Sequence, residues 1–288
     1  MNAMANALAA VQTRRKSRAS GLLRGLRRPD AIAGMIIVGI VFGAGLLAPL
    51  IAPYSPYDQL YTAFLGPSGE HLFGTDEFGR DLFSRVLFGI RQDVFVGLVA
   101  VPIGAVAGTL LGLVSGSWRW LDTILQRGFD VMLAFTGLVM GVTVSAILGP
   151  GLEAVMVTVV IVNIPLFGRL TRSAVQIQRG RDYVIAARVV GVRPIRALFR
   201  HILPNTLDSL IVQAALSLSM AVFLEGAMSF VGIGVRPPEP SLGSLLRTSI
   251  NFLYQAPVYA IAPMIVLTAL VLGFNLIGDG LNKGLLRR

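Results

Sequence analysis

Six stretches of the chain are apolar and long enough to read as membrane-crossing helices: 31–51, 94–117, 131–148, 154–170, 207–231 and 258–278. About 20 helical residues cross a hydrocarbon core, so the runs predict an all-α, six-span protein. The fourth run is short and contains Pro165, but Glu153 and Arg169 at its ends can extend their charged heads to the interface. Polar islands separate the runs: 1–30, 52–93, 168–205 and 232–257.

Two of these islands carry their own pattern. In 52–93, Pro53, Pro56 and Pro67 mark turns, and then Phe78, Leu82, Phe83, Val86, Leu87 and Ile90 fall at helical spacing behind Thr75 or Asp76 as a cap. The expectation is an interfacial helix that feeds the second span. Segment 232–257 combines Arg236-Pro237-Pro238-Glu239-Pro240 with a short apolar stretch around Leu245, which predicts a re-entrant or interfacial lid held against protein or a water-filled cavity. In the second span, Gly104, Gly108 and Gly112 lie four apart and predict close helix packing.

Composition agrees with the pattern. The 288 residues are 54% hydrophobic and 14% charged, with a mean hydropathy of +0.72. That is the balance of an integral membrane protein. The net charge of +10 is a matter of topology, because 20 of the 25 basic residues fall on one side if both termini are cytoplasmic. Only Arg80, Arg85, Arg91, Arg236 and Arg247 fall outside. Loops rich in Lys and Arg stay in the cytoplasm, so the charge implies membrane orientation and lipid contact and does not call for nucleic acid.

The same inventory narrows the chemistry. There is no cysteine, and His71 and His201 stand far apart without ligand spacing, so the residues suggest neither disulfides nor a metal site. The only lysines, Lys16 and Lys283, follow no glycine, which leaves no phosphate-cradling GxxxxGK[ST] loop and no expectation of ATP hydrolysis by this chain. A secondary carrier or channel would need intramembrane ion-coupling groups, and the pattern offers one deeply placed acid, Glu225. The favoured reading of Glu225 is structural pairing with polar groups such as Asn163 or with a second subunit; the alternative is a gate or substrate contact.

The island at 168–205 is the most specific. Its eight arginines face one acid, Asp182. Asp182 can cap a short helix, Ala186 and Ala187 give that helix a smooth face, Gly191 permits a turn, and Pro194 suits the first position of a second helix. Such a helix-turn-helix on a charged loop can enter a groove on another protein.

Four motifs carry a resemblance to a known family. The run RDYVIAARVVGVRPIRALFRHILPN resembles the cytoplasmic coupling loop, the EAA loop, of inner-membrane permease subunits of binding-protein-dependent ABC importers. HLFGTDEFGRDLFSRVLFGIR, LEGAMSFVGIGVRPPEPSLGSLL and LGFNLIGDGLN are similar to segments of the C-type permease subunit of dipeptide and oligopeptide importers, in matching order from about residue 30 to the end. Ile185 stands where the loop's name-giving glutamate is expected.

The resemblance implies a type I ABC importer permease fold, with a basic cytoplasmic segment 1–30 and a permease domain 31–288, in a bacterial inner membrane. It implies a homologous second permease subunit, two cytoplasmic ATP-binding subunits that hold ATP and Mg, and an extracytoplasmic substrate-binding protein, with no cofactor in this chain. Coupling to the ATPases falls to Asp182, Tyr183, Ala186, Ala187, Gly191 and Pro194. The implied cargo is di- or oligopeptide, with glutathione, nickel chelates and oligosaccharides as alternatives within the class.

Overall fold

The computed structural model describes residues 24–190, 192 and 194–286, without the side chains of residues 119, 183, 187, 188, 194, 201 and 286. Most of the basic segment 1–30 therefore lies outside the described residues, as does Gly191. The regular structure is helical throughout the described residues, apart from one isolated bridge between Thr75 and Asp81.

Helix α1 (Pro29–Leu46) begins at a proline, whose missing N–H would be unpaired in a first turn anyway. A short α2 (Ala48–Ile51) continues it, so the first apolar run is a broken rather than a single helix. Segment 52–81 then folds as irregular chain before α3 (Leu82–Ser115), a 34-residue helix of about 51 Å. The interfacial helix and the second span are thus one element. Its N-cap is Asp81 rather than Thr75 or Asp76, accepting from the backbone N–H of Ser84 at 2.8 Å.

The third span departs furthest from expectation. Run 131–148 is split between α4 (Arg119–Ala134) and α5 (Gly137–Leu148), which meet at 93°. The polar side of α4 explains the bend. Arg172 grips Asp122 through Nε at 2.5 Å and Nη2 at 2.7 Å, and Arg169 pairs with Asp130, so α4 is tied to the helix that comes after α5. The chain must turn at Phe135 and Thr136, both extended, before α5 can run back along that helix.

That helix, α6 (Leu152–Arg179), is longer than the fourth apolar run and carries Pro165 in its interior. It lies against α3 along the glycine stripe. A Cβ at Gly108 would stand 2.4 Å from the Ile164 carbonyl, and one at Gly112 equally close to the Gly168 carbonyl, so only glycine allows this approach. After α6 come α7 (Asp182–Val189), α8 (Pro194–Ala197), a π turn (Leu198–Ile202) and a 3-10 turn (Leu203–Asn205). Helix α9 (Leu207–Val231) ends at Gly232, whose φ of +94° is the left-handed closing conformation.

The proposed lid contains α10 (Leu242–Ser249), opened by a reciprocal Ser241–Ser244 capping box, and it is packed onto protein. Leu242 and Leu245 join Val86, Leu87, Val222 and Leu270 in the main core, with α11 (Pro257–Leu286) closing the bundle against α1 and α9. Among the described residues, five helices are long and apolar enough to cross a membrane, or there are six spans if the bent α4–α5 pair counts as one.

Candidate functional site

Three polar or exposed features stand out against this apolar scaffold. The first is the end of the bundle formed by 52–81. Asp76 and Asp81 are fully buried. Asp76 accepts from the backbone N–H groups of Phe78 and Arg80, both at 2.9 Å, and from Arg80 Nε at 2.5 Å, while Arg85 Nε stands 3.5 Å away. Asp81 accepts from Ser84 Oγ at 2.7 Å and meets His71 Nδ1 at 2.9 Å. Gly79 makes the tight loop possible: its φ is +71°, and a Cβ there would lie 1.9 Å from the Tyr61 carbonyl. The acids of TDEFGRD, with Arg80 and the neighbouring Arg85, are therefore largely committed to holding the segment on α3, consistent with a folded cap.

The second feature is the opposite end, at 180–205. Helix α7 buries Val184, which packs with Leu113 of α3, Val175 of α6 and the turn residues Leu198 and Ile202. Its other side is open, with Ala186 exposed, Ile185 half exposed, and Val189 and Val190 each 82% exposed. Asp182 is the first helical residue rather than the cap; Arg181 precedes the helix, and its carbonyl accepts from Val184 and Ile185. A carboxylate in the first turn still suits the helix dipole. Pro194 opens α8, as its fixed φ favours. The Tyr183, Ala187 and Pro194 side chains, and all of Gly191, lie outside the described residues.

The third feature is buried mid-scaffold. Glu225 on α9 is fully buried and accepts from Ser229 Oγ at 2.7 Å. Asn163 is not its partner: Asn163 Nδ2 donates to the Val159 carbonyl of its own helix at 2.8 Å, and its side chain packs beside Gly104. The residue that meets Glu225 is Asp93 of α3, itself fully buried, with the Ser241 hydroxyl beside Glu225 and the Leu242 backbone beside Asp93.

Two glycines create this junction. A Cβ at Gly89 would lie 3.2 Å from Leu242 N, and one at Gly243 would lie 2.3 Å from the Gly226 carbonyl, so α10 sits directly on α3 and α9. Both Asp93 oxygens and Glu225 Oε2 lack a donor among the described residues. Two ionised carboxylates only accept, so the contact becomes a hydrogen bond when one of them carries a proton. The expectation of a single deep acid is thus corrected to a pair. Asp93 escaped notice because it lies at the polar edge of an apolar run, where an acid usually faces water; its position four residues after Gly89 was the available signal.

Comparisons with known proteins agree with this architecture. Residues 101–288 match the family described as binding-protein-dependent transport system inner membrane component, and residues 23–67 match the N-terminal TM domain of oligopeptide transport permease C. The chain is 41% identical over 261 residues to the dipeptide transport system permease protein DppC of Alkalihalophilus pseudofirmus, covering 88% of this chain and 84% of that one. It is 38% identical to the glutathione transport system permease protein GsiD of Pectobacterium atrosepticum, covering 91% and 88%. Among solved structures, an inward-facing conformation of the MetNI methionine ABC transporter superposes with a TM-score of 0.58 at 19% identity, over 69% of this chain and 96% of that one. The fold is that of a type I importer permease. The chain belongs to the family of inner-membrane components of binding-protein-dependent transport systems, multi-pass permease subunits whose ATPase is a separate protein.

Proposed function

We propose that this chain forms half of the translocation pathway of an ATP-driven importer of short peptides, paired with a homologous permease subunit, two ATP-binding subunits and a substrate-binding protein. The relatives named for dipeptide and for glutathione transport support the cargo class, since both carry peptide-linked amino acids. The proposed orientation places both termini and 168–205 in the cytoplasm, with 52–93 and 232–257 outside, as the charge distribution favours.

The observation that carries the coupling assignment is the two-sided character of α7. Val184 is anchored to the ends of α3 and α6, while Val189 at the end of the short helix and Val190 just beyond it stand exposed. In this reading an ATPase groove receives the exposed side. Closure of the ATPases displaces α7 and α8, and the anchoring core passes that movement to α3 and α6, which the glycine stripe makes one rigid unit. The permease subunits then rock between inward-facing and outward-facing states. Asp182, Tyr183, Ala186, Ala187, Gly191 and Pro194 shape this docking element, whereas Glu225 has a structural role with Asp93.

The test is Val189→Asp in the complete importer. An exposed position changes folding stability by only about 0.5 kcal/mol, so membrane insertion and pairing should persist. The ATPases should fail to co-purify, or should hydrolyse ATP without peptide uptake in reconstituted vesicles. Wild-type assembly and uptake would remove α7 from the coupling role. Peptide cargo is tested separately, by the ligand retained on the cognate binding protein; a nickel chelate or oligosaccharide there would replace the peptide assignment without touching the coupling one.

A further inference from the structure

A groove of about 510 Å³ opens on the side of the bundle between α1, α3 and the start of the 232–257 segment. Its walls are Phe42 and Leu46 of α1 and Phe95 and Leu98 of α3. Its rim is polar and carries both signs of charge, with Arg91 on α3 and Glu239 from the loop. Arg91 is exposed and makes no ion pair among the described residues. Glu239 is also exposed and accepts from Tyr57 Oη at 2.9 Å through Oε2. Burial and this hydrogen bond raise the Tyr57 hydroxyl above the ordinary phenol range, so Tyr57 remains a donor.

Below the rim, the exposed residues of α3 form one continuous stripe: Arg91, Phe95, Leu98, Pro102, Val106 and Leu110. At 1.5 Å per residue, Arg91 to Val106 covers about 22 Å, more than the roughly 15 Å depth of one leaflet's hydrocarbon. Arg91 lies near the end of α1, since Gly45 packs directly against Ile90 and Arg91. The groove thus sets a cation and an anion at interfacial level over an apolar channel that runs toward the membrane centre. A peptide zwitterion would meet the same two charges, but apart from Gln92 and Tyr57 the lining between them is apolar and offers little to a run of amide groups. An unpaired arginine in such a place calls for a phosphate.

We propose that this groove is a binding site for a phospholipid with a primary-amine headgroup, of the phosphatidylethanolamine type. Its phosphate sits on Arg91, its ammonium on Glu239, and an acyl chain lies along Phe95 and Leu98. The choice of a zwitterionic headgroup over an anionic one rests on Glu239, which would repel a lipid of net negative charge. The choice over a choline headgroup rests on hydrogen bonding, since a quaternary ammonium has no proton to donate to a carboxylate. The site depends on neither the cargo nor the coupling assignment.

Native mass spectrometry of the intact detergent-purified importer, titrated separately with dioleoyl phosphatidylethanolamine, phosphatidylcholine and phosphatidylglycerol, tests it. The wild type should retain phosphatidylethanolamine preferentially. Arg91→Gln should lower that retention by about tenfold, as expected for loss of one charge-assisted contact, while Arg91→Lys should largely preserve it. Glu239→Gln should abolish the preference for ethanolamine over choline and admit phosphatidylglycerol. The same spectra report subunit stoichiometry, so a folding defect is seen directly as loss of the assembled complex, and Arg91→Lys then decides the case. Retention unchanged in Arg91→Gln, or stronger for phosphatidylglycerol than for phosphatidylethanolamine in the wild type, overturns the proposal. Quantitative cross-linking of Leu98→Cys to the second permease subunit, with no lipid retained, does so as well by showing that protein fills the groove.

Discussion

The two ends of the helical bundle treat their side chains in opposite ways. At the 52–81 end, charged groups are buried and paired: Asp76 with Arg80 and Arg85, Asp81 with His71 and Ser84, Glu77 with Tyr259. At the 180–205 end, apolar groups are left open: Ile185, Val189, Val190, Ile195 and Phe199. A segment that satisfies its own charges holds its shape without help. A segment that exposes several aliphatic side chains on a helix of eight residues is incomplete until something covers it. One end closes on itself; the other leaves an apolar surface open.

The largest effect should come from breaking the closed end. Asp76→Ala leaves Arg85, 6% exposed, as a buried charge without its carboxylate, and leaves Arg80, 8% exposed, only the longer contact to Glu77 at 3.4 Å. Removing one partner of a buried pair costs about 3–5 kcal/mol, so thermal unfolding of the purified complex should fall steeply and expression should drop. If Asp76→Ala destabilises the protein no more than Val189→Asp at the open end, the contrast between the ends is wrong.

That contrast was only partly legible in the sequence. Hydrophobic run length located the spans because burial in lipid demands it, and the helix-turn-helix of 182–205 followed from its alanines, glycine and proline. The bend at Phe135–Thr136 was hidden. An apolar run looks the same whether it is straight or folded back, and the cause lies in Arg169 and Arg172, 39 and 50 residues beyond the Asp130 and Asp122 that they hold. The merger of the interfacial helix with α3 was hidden for a similar reason, since Arg85 and Arg91 interrupt the apolar pattern without interrupting the helix. Asp81 was missed as the cap because Asp76 and Thr75 are equally good by type; only the fold of 52–81 decides among them. On α7, small residues drew attention to the docking side, yet the open surface also includes Ile185 and Val189, whose exposure depends on which side Val184 anchors.

Between the two ends, the Asp93–Glu225 contact ties α3, α9 and α10 together, and its effect should be intermediate. Glu225→Gln keeps an acceptor for Ser229 and supplies N–H groups that can donate to Asp93, so assembly and most transport should survive. Glu225→Leu leaves Ser229 and Asp93 without their partner, at a cost on the order of 1–3 kcal/mol. Melting temperatures of the two variants separate the readings. Equal loss of transport in both, with melting unchanged, would instead assign Glu225 a direct charge role in gating.

The stiffness that the proposed coupling requires should show in the glycine stripe. Gly108→Ala places a methyl group against the Ile164 carbonyl and forces α3 away from α6, an overpacking cost of about 1–3 kcal/mol. Gly39→Ala on α1 is the control. A Cβ there meets nothing within 4 Å, and alanine is the better helix former by up to about 1 kcal/mol, so that variant should be neutral or slightly more stable. Similar stability of the two variants would mean that α3 and α6 are not tightly joined.

The smallest perturbation tests which end faces which compartment. The chain has no cysteine, so single cysteines at Leu72 and Val190 provide unique labels. Both side chains are well exposed on this chain, at 54% and 82%, and neither substitution removes a buried contact within it, so folding and insertion should be unchanged. With 20 of 25 basic residues on the side of the termini, an impermeant thiol reagent should label the residue-72 variant in intact cells. It should label the residue-190 variant only after the membrane is permeabilised. The reverse pattern would place the open, aliphatic end outside, where no cytoplasmic ATPase could reach it, and the coupling role of α7 would fall with the orientation.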